Sequence, residues 1–160
     1  MIGVYQQKGL DFFDIIQGAL LRYLNLESRP AGFFTIPREI FNPLRNQYES
    51  GMIIKKIADD KNPDYRYTVG IVDVDIFSKG MNFIFGMADP LRKTAIVATH
   101  RLAGDKLKER ITKEIVHEVG HLIGLGHCDN PHCVMYFSNT LLDTDNKGPD
   151  LCEDCRRKIE

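Results

Sequence analysis

The chain has 160 residues, of which 43% are hydrophobic, and a formal net charge of −1. That length suits one domain with one core, and the absence of any apolar run near roughly 18 residues excludes a membrane-spanning helix. A near-neutral balance offers no basic footprint for nucleic acid and no cationic patch for a membrane surface.

Residues 2–5 read as a short opening strand, and residues 11–26 as a helix with Phe12, Ile15, Ile16, Ala19, Leu20 and Tyr23 on one face. A second strand is expected at 32–36, stopped by Pro37, which has no amide donor. Residues 48–58 predict a helix with Ile53, Ile54 and Ile57 inward, and residues 67–74 a strand rich in β-branched side chains. Asp73 and Asp75 alternate with apolar residues at its end, a pattern that fits a solvated, calcium-free loop rather than a metal site. Strands at 82–87 and 94–99 follow, separated only by a few residues around Asp89-Pro90. Parallel neighbours need a crossover of about a dozen residues, so one of the two must run antiparallel. Residues 104–123 predict a long helix whose Ile111, Ile115, Val116, Val119 and Leu122 face the sheet, and residues 149–158 a short terminal helix. Alternating strands and helices imply a single α/β domain over residues 1–160, built on a mixed, twisted sheet of about five strands with one antiparallel member.

The long helix carries His117-Glu118-Val119-Gly120-His121, an H-E-x-x-H run that continues through Gly124 to His127. Residues four apart on a helix share a face, so His117 and His121 can grip one ion, with Glu118 beside it as a base for a water activated there. A third ligand cannot come from the same helix, because six further residues would carry His127 about 9 Å along the axis. The helix must therefore stop, and Gly124 can adopt the left-handed conformation that ends it and folds His127 back. His100 and His132 have no comparable spacing and take no site role.

Cys128, Cys133, Cys152 and Cys155 are the only cysteines. Two close pairs fit one tetrahedral zinc site and use all of them. Two disulfides are the competing reading and suit a secreted chain, but residues 1–10 lack the apolar core of an export signal. A redox C-x-x-C pair at Cys152 and Cys155 leaves Cys128 and Cys133 without a role. These points favour zinc and a cytoplasmic location.

Read together, H-E-x-x-H-x-x-G-x-x-H-C-x₄-C-x-M followed by C-x-x-C, spanning residues 117–155, resembles the archaemetzincins, a branch of the metzincin metallopeptidases. The resemblance implies a zincin-like α+β arrangement with residues 124–160 as a small zinc-bound C-terminal segment. It implies two Zn²⁺ per chain, one catalytic on His117, His121 and His127, and one structural on Cys128, Cys133, Cys152 and Cys155. Glu118 would be the general base, and Met135 would form the Met-turn beneath the metal. The antiparallel strand, residues 83–88, would be the sheet edge above the cleft, pairing with an extended peptide; Phe83, Ile84, Phe85, Gly86 and Met87 are its candidate substrate contacts. Tyr136 and Phe137 would help wall the pocket for the side chain after the scissile bond; some metzincins have a ligating tyrosine where Phe137 stands.

The expected activity is zinc-dependent hydrolysis of peptide bonds in a peptide or protein substrate, by a monomer with no nucleic-acid or membrane partner. The alternative is a zinc-stabilised peptide-binding protein with weak or no cleavage, against which the intact Glu118 argues. A zinc-finger nucleic-acid binder needs a basic surface and gains nothing from Glu118.

Overall fold

The computed structural model describes all 160 residues. The chain opens with β1 (Ile2–Gln7), α1 (Phe13–Leu24) and β2 (Ser28–Phe34). Strand β2 begins four residues before the sequence pattern suggests and contains Pro30. It is an edge strand pairing only with β1, with a register shift between Val4 and Tyr5 opposite Pro30, so the missing amide costs no central ladder bond. Next come β3 (Phe41–Asn42), β4 (Gln47–Glu49) and α2 (Ser50–Asp60). The expected helix start at residue 48 is therefore strand, because Tyr48 pairs with both Phe41 and Ile76.

Strand β5 (Tyr67–Val72) ends before Asp73 and Asp75, and β6 (Ile76–Phe77) follows. Asp75 accepts a bidentate bond from Arg101 at 2.7 and 2.8 Å and one from Gln47 at 3.1 Å, a structural role. Strands β3, β4 and β6 form a small second sheet. Pieces of two or three residues have no readable period, which is why the sequence pattern does not reveal this sheet.

The main sheet has the order β2-β1-β5-β8-β7, where β7 is Gly86–Asp89 and β8 is Thr94–Ala98. All neighbours are parallel except β7, which runs antiparallel to β8 at the edge. The expected strand at 82–87 thus starts later. Before Gly86 the chain turns aside, and the Ile84 amide bonds the Ile76 carbonyl at 3.1 Å.

Alternation along β8 sends Ala95 and Val97 to a core shared with α1 and α3 (Leu107–Leu122), while Ile96 and Ala98 join Ile53, Ile54 and Ile57 of α2 on the opposite face. Two short helices complete the chain, α4 (Leu141–Asn146) and α5 (Glu153–Ile159). Helix α4 has no apolar periodicity to announce it, although Thr140 and Asp143 form a reciprocal capping box legible as T-x-x-D. It covers a polar side of α3: Arg110 is buried against Asp145 at 2.8 and 2.9 Å, and Lys113 bonds the carbonyls of Thr144 and Asp145. No helix is long and apolar enough to cross a membrane.

Candidate active site

Helix α3 places His117 and His121 one turn apart, and their Nε2 atoms stand 3.2 Å from each other. The helix ends at Leu122, and Gly124 takes φ 107°, the left-handed turn expected there. The turn brings His127 back, with its ring centroid 5.4 Å from that of His117 and 4.8 Å from that of His121. The three imidazoles form one cluster.

His117 Nδ1 donates to the Val134 carbonyl and His121 Nδ1 to the Leu125 carbonyl, each at 2.8 Å. A carbonyl can only accept, so both rings keep the proton on Nδ1 and turn the Nε2 lone pair inward. Burial, with the Lys147 charge adding to it, holds His117 well below the usual imidazole range. Burial also lowers His121 and His127. Neutral rings are the form that binds metal. Zn–N bonds of about 2.0–2.1 Å in a tetrahedron put neighbouring nitrogens about 3.3–3.4 Å apart, close to the spacing of His117 and His121.

Glu118 is buried beside this cluster. Burial, then the nearby Glu114 carboxylate, pushes it well above the usual carboxylate range, against the opposing charge of Lys147. Its side chain nests under Gly86, where a Cβ would lie 2.9 Å from Glu118 Cγ and Oε1. The edge strand and the helix therefore meet at a glycine.

Met135 is fully buried under α3, where a Cβ on Gly120 would lie 2.6 Å from its sulfur. Its carbonyl accepts the Cys128 amide at 3.0 Å, joining the chain beside His127 to the turn at Met135.

The four cysteines form a second cluster. Cys128 and Cys152 sulfurs are 3.8 Å apart, and those of Cys133 and Cys155 3.9 Å. Disulfide sulfurs stand about 2.05 Å apart, and all four cysteines are free. Zn–S bonds of about 2.3 Å give tetrahedral edges of about 3.8 Å, so the donor set fits zinc. A hydrogen bond from the Cys155 amide, over opposing burial, lowers the Cys152 thiol to about 7, whereas burial pushes Cys133 and Cys155 up.

An open cleft of about 610 Å³ runs past the histidines, lined by Gly86, Met87, Ala88, His117, Glu118, His121, His127 and Phe137 among others. Of the residues expected to contact substrate, Ile84, Gly86, Met87 and Phe137 line it. Phe83 and Phe85 do not: they pack on each other edge to face at 5.4 Å, Phe85 buried in the core and Phe83 beneath the Arg101 guanidinium at 4.1 Å. Tyr136 also lies off the cleft, and its carbonyl accepts from Lys147. Ala88, at the end of the expected edge, also lines it, and Met81 and Ser78 take places in the wall as well. Lys147 and Glu114, an ion pair at 3.4 Å behind the histidines, carry no signal in the sequence, since a lysine after a short helix and a glutamate in a charged helix read as solvated.

The sequence profile of peptidase family M54 matches residues 39–160. An archaemetzincin of Pyrococcus horikoshii is 39% identical over an alignment covering 94% of this chain and 87% of that protein. One from Pyrobaculum aerophilum is 48% identical, with 72% of each chain covered. The crystal structure of the Methanopyrus kandleri archaemetzincin superposes with a TM-score of 0.89 at 29% identity, covering 99% of this chain and 92% of that one. The Archaeoglobus fulgidus archaemetzincin, solved with malonate, gives 0.86 at 33% identity, covering 99% of this chain and all of the other. With likeness in sequence and in fold both running nearly end to end, the chain belongs to the archaemetzincins of peptidase family M54, and so to the zinc metallopeptidases.

Proposed function

We propose that residues 1–160 act as one catalytic domain that hydrolyses peptide bonds in an extended substrate. The observation that carries this reading is the convergence of His117, His121 and His127 beside the buried Glu118, on the floor of a cleft flanked by a sheet edge. The three histidines would hold the catalytic zinc, which supplies Lewis-acid chemistry by activating a water and polarising the scissile carbonyl. Glu118 takes the proton of the attacking water on its carboxylate and returns it to the leaving amine. No covalent bond to the protein forms.

Substrate orientation falls to β7. Its inner side pairs with β8, its outer side has no strand neighbour, and Gly86, Met87 and Ala88 face the cleft. A peptide laid along that edge would gain backbone hydrogen bonds independent of its side chains. Phe137 would wall the pocket for one side chain, while Phe83, Phe85 and Tyr136 support the wall from behind. Met135 would floor the site. Cys128, Cys133, Cys152 and Cys155 would hold a second, structural zinc that fastens residues 124–160 and fixes the segment following His127. Four free thiols also suit a cytoplasmic location.

Glu118→Ala tests this reading. The variant should keep both zincs and lose at least about 100-fold in peptide turnover, as removal of a general base does. A zinc-loaded variant with full turnover would remove Glu118 from the proton-transfer role.

A further inference from the structure

The three histidines are supported in different ways. His117 and His121 are each oriented by a hydrogen bond to a backbone carbonyl. His127 lies beyond the helix end, is exposed, and has no such acceptor for its ring. Outside the histidine cluster, the aromatic ring packed on it is Phe137, centroid to centroid 5.0 Å, tilted by 42°. For this histidine, packing limits the ring's orientation where a carbonyl bond does so for the other two.

Phe137 is itself held from behind. The carbonyl of the preceding residue, Tyr136, accepts a hydrogen bond from Lys147 Nζ at 3.1 Å. Lys147 is almost completely enclosed, at 1% exposure. Its ammonium pairs with Glu114 Oε1 at 3.4 Å, and the same oxygen accepts the Thr144 hydroxyl at 3.1 Å. Glu114 stands on α3 one turn before His117, so the chain of contacts returns to the helix that carries the other histidines.

An ion pair buried this deeply is a poor way to gain stability, because desolvation offsets the attraction; apolar side chains of similar volume fill such space at less cost. What the ammonium adds is direction. A charge-assisted bond fixes one carbonyl, and fixing that carbonyl sets the peptide from which the Phe137 ring projects.

We propose that Lys147, anchored on Glu114, is a positioning residue that holds the Tyr136 carbonyl and thereby seats Phe137 as the support of His127. The proposal rests on the reading of His127 as a ligand of the catalytic zinc. Removing an orienting partner of a metal-bound histidine costs about 10- to 100-fold in metal affinity, and the same loss is expected here.

The test uses the full chain with zinc retained at the cysteines, titrating Co²⁺ into the histidine site and following its d–d absorption alongside thermal melting. Phe137→Ala and Lys147→Met should each weaken Co²⁺ binding by about 10- to 100-fold and leave the cysteine-bound zinc in place. Lys147→Met strands the Glu114 charge and should melt earlier. The double variant Glu114→Leu/Lys147→Met removes both charges, and it should recover most of the melting midpoint while Co²⁺ binding stays weak. A merely structural pair would instead let stability and metal affinity return together, which would overturn the proposal, as would unchanged affinity in Lys147→Met. His127→Ala is the control for the underlying reading: if it binds Co²⁺ as the parent does, His127 is not a ligand and that assignment fails first.

Discussion

Replacing Gly86 by alanine puts a methyl group where the edge strand and the helix bearing Glu118 come closest. Its Cβ would stand 2.7 Å from the Ile96 carbonyl oxygen and 2.9 Å from Glu118 Cγ and Oε1. Unbonded carbons settle at roughly 3.5 Å or more, so the glutamate side is short by about 0.6 Å. Ile96 belongs to β8, paired on both sides, and its carbonyl cannot withdraw without disturbing the sheet. That contact can be relieved only by a shift of β7 itself, whereas the crowding at 2.9 Å is relieved by displacing the Glu118 side chain. Misplacing a reacting group by about 1 Å costs on the order of 100-fold in rate, so roughly half that shift should cost about tenfold in kcat. Overpacking should also lower stability by about 1–3 kcal/mol. The assay is turnover of a peptide substrate by the zinc-loaded variant below its melting transition, with KM measured in parallel. A folded Gly86→Ala protein with kcat within twofold of the parent would refute the reasoning. If KM rises while kcat holds, the edge strand has yielded instead, and the close approach does not set the base.

Cys152→Ser should lose the zinc of the cysteine cluster and also weaken metal binding at the histidines, because Cys128 adjoins His127; unchanged affinity at the histidine site, measured by competition with a chelator, would uncouple the two. Asp145→Asn should destabilise the fold by roughly 2–3 kcal/mol in urea titrations, below the about 3–5 for breaking a dry ion pair, since Asp145 retains some exposure and two carbonyls still receive Arg110. The Arg110 guanidinium, over opposing burial, holds Asp145 below the usual carboxylate range. With the folded value depressed, this stabilisation is complete above the unfolded value of about 3.9 and is lost as pH falls through the folded one. The parent should therefore lose stability faster than Asp145→Asn on acidification below about pH 4, and parallel pH profiles would refute the assignment. Gly18→Ala, in the exposed interior of α1 with nothing within 4 Å of the added carbon, should raise stability by roughly 0.5–1 kcal/mol, readable as a higher melting midpoint.

The histidine cluster is legible in the sequence because its geometry is local. His117 and His121 are fixed relative to each other by the helical repeat, and the return of His127 needs only the turn at Gly124. The cysteine cluster is nearly as legible, since two short spacings limit the arrangements open to four sulfurs. The antiparallel strand follows from the short link around Asp89-Pro90. Its start does not, because Phe83 and Phe85 extend an apolar pattern across a point where the backbone leaves the edge, and only Arg101 above Phe83 and the buried seat of Phe85 show the departure.

Residue type and spacing by themselves determined which atoms could share a metal, because those relations are set by helix pitch and by the reach of a few backbone bonds. Tertiary structure alone decided what stands behind them. Glu114, Arg110 and Lys113 lie on a polar side of α3 that reads as solvated until α4 covers it, and Lys147 is drawn inside by a carboxylate 33 positions earlier in the chain. Burial of a charge depends on which distant segment closes over it, and no local period records that.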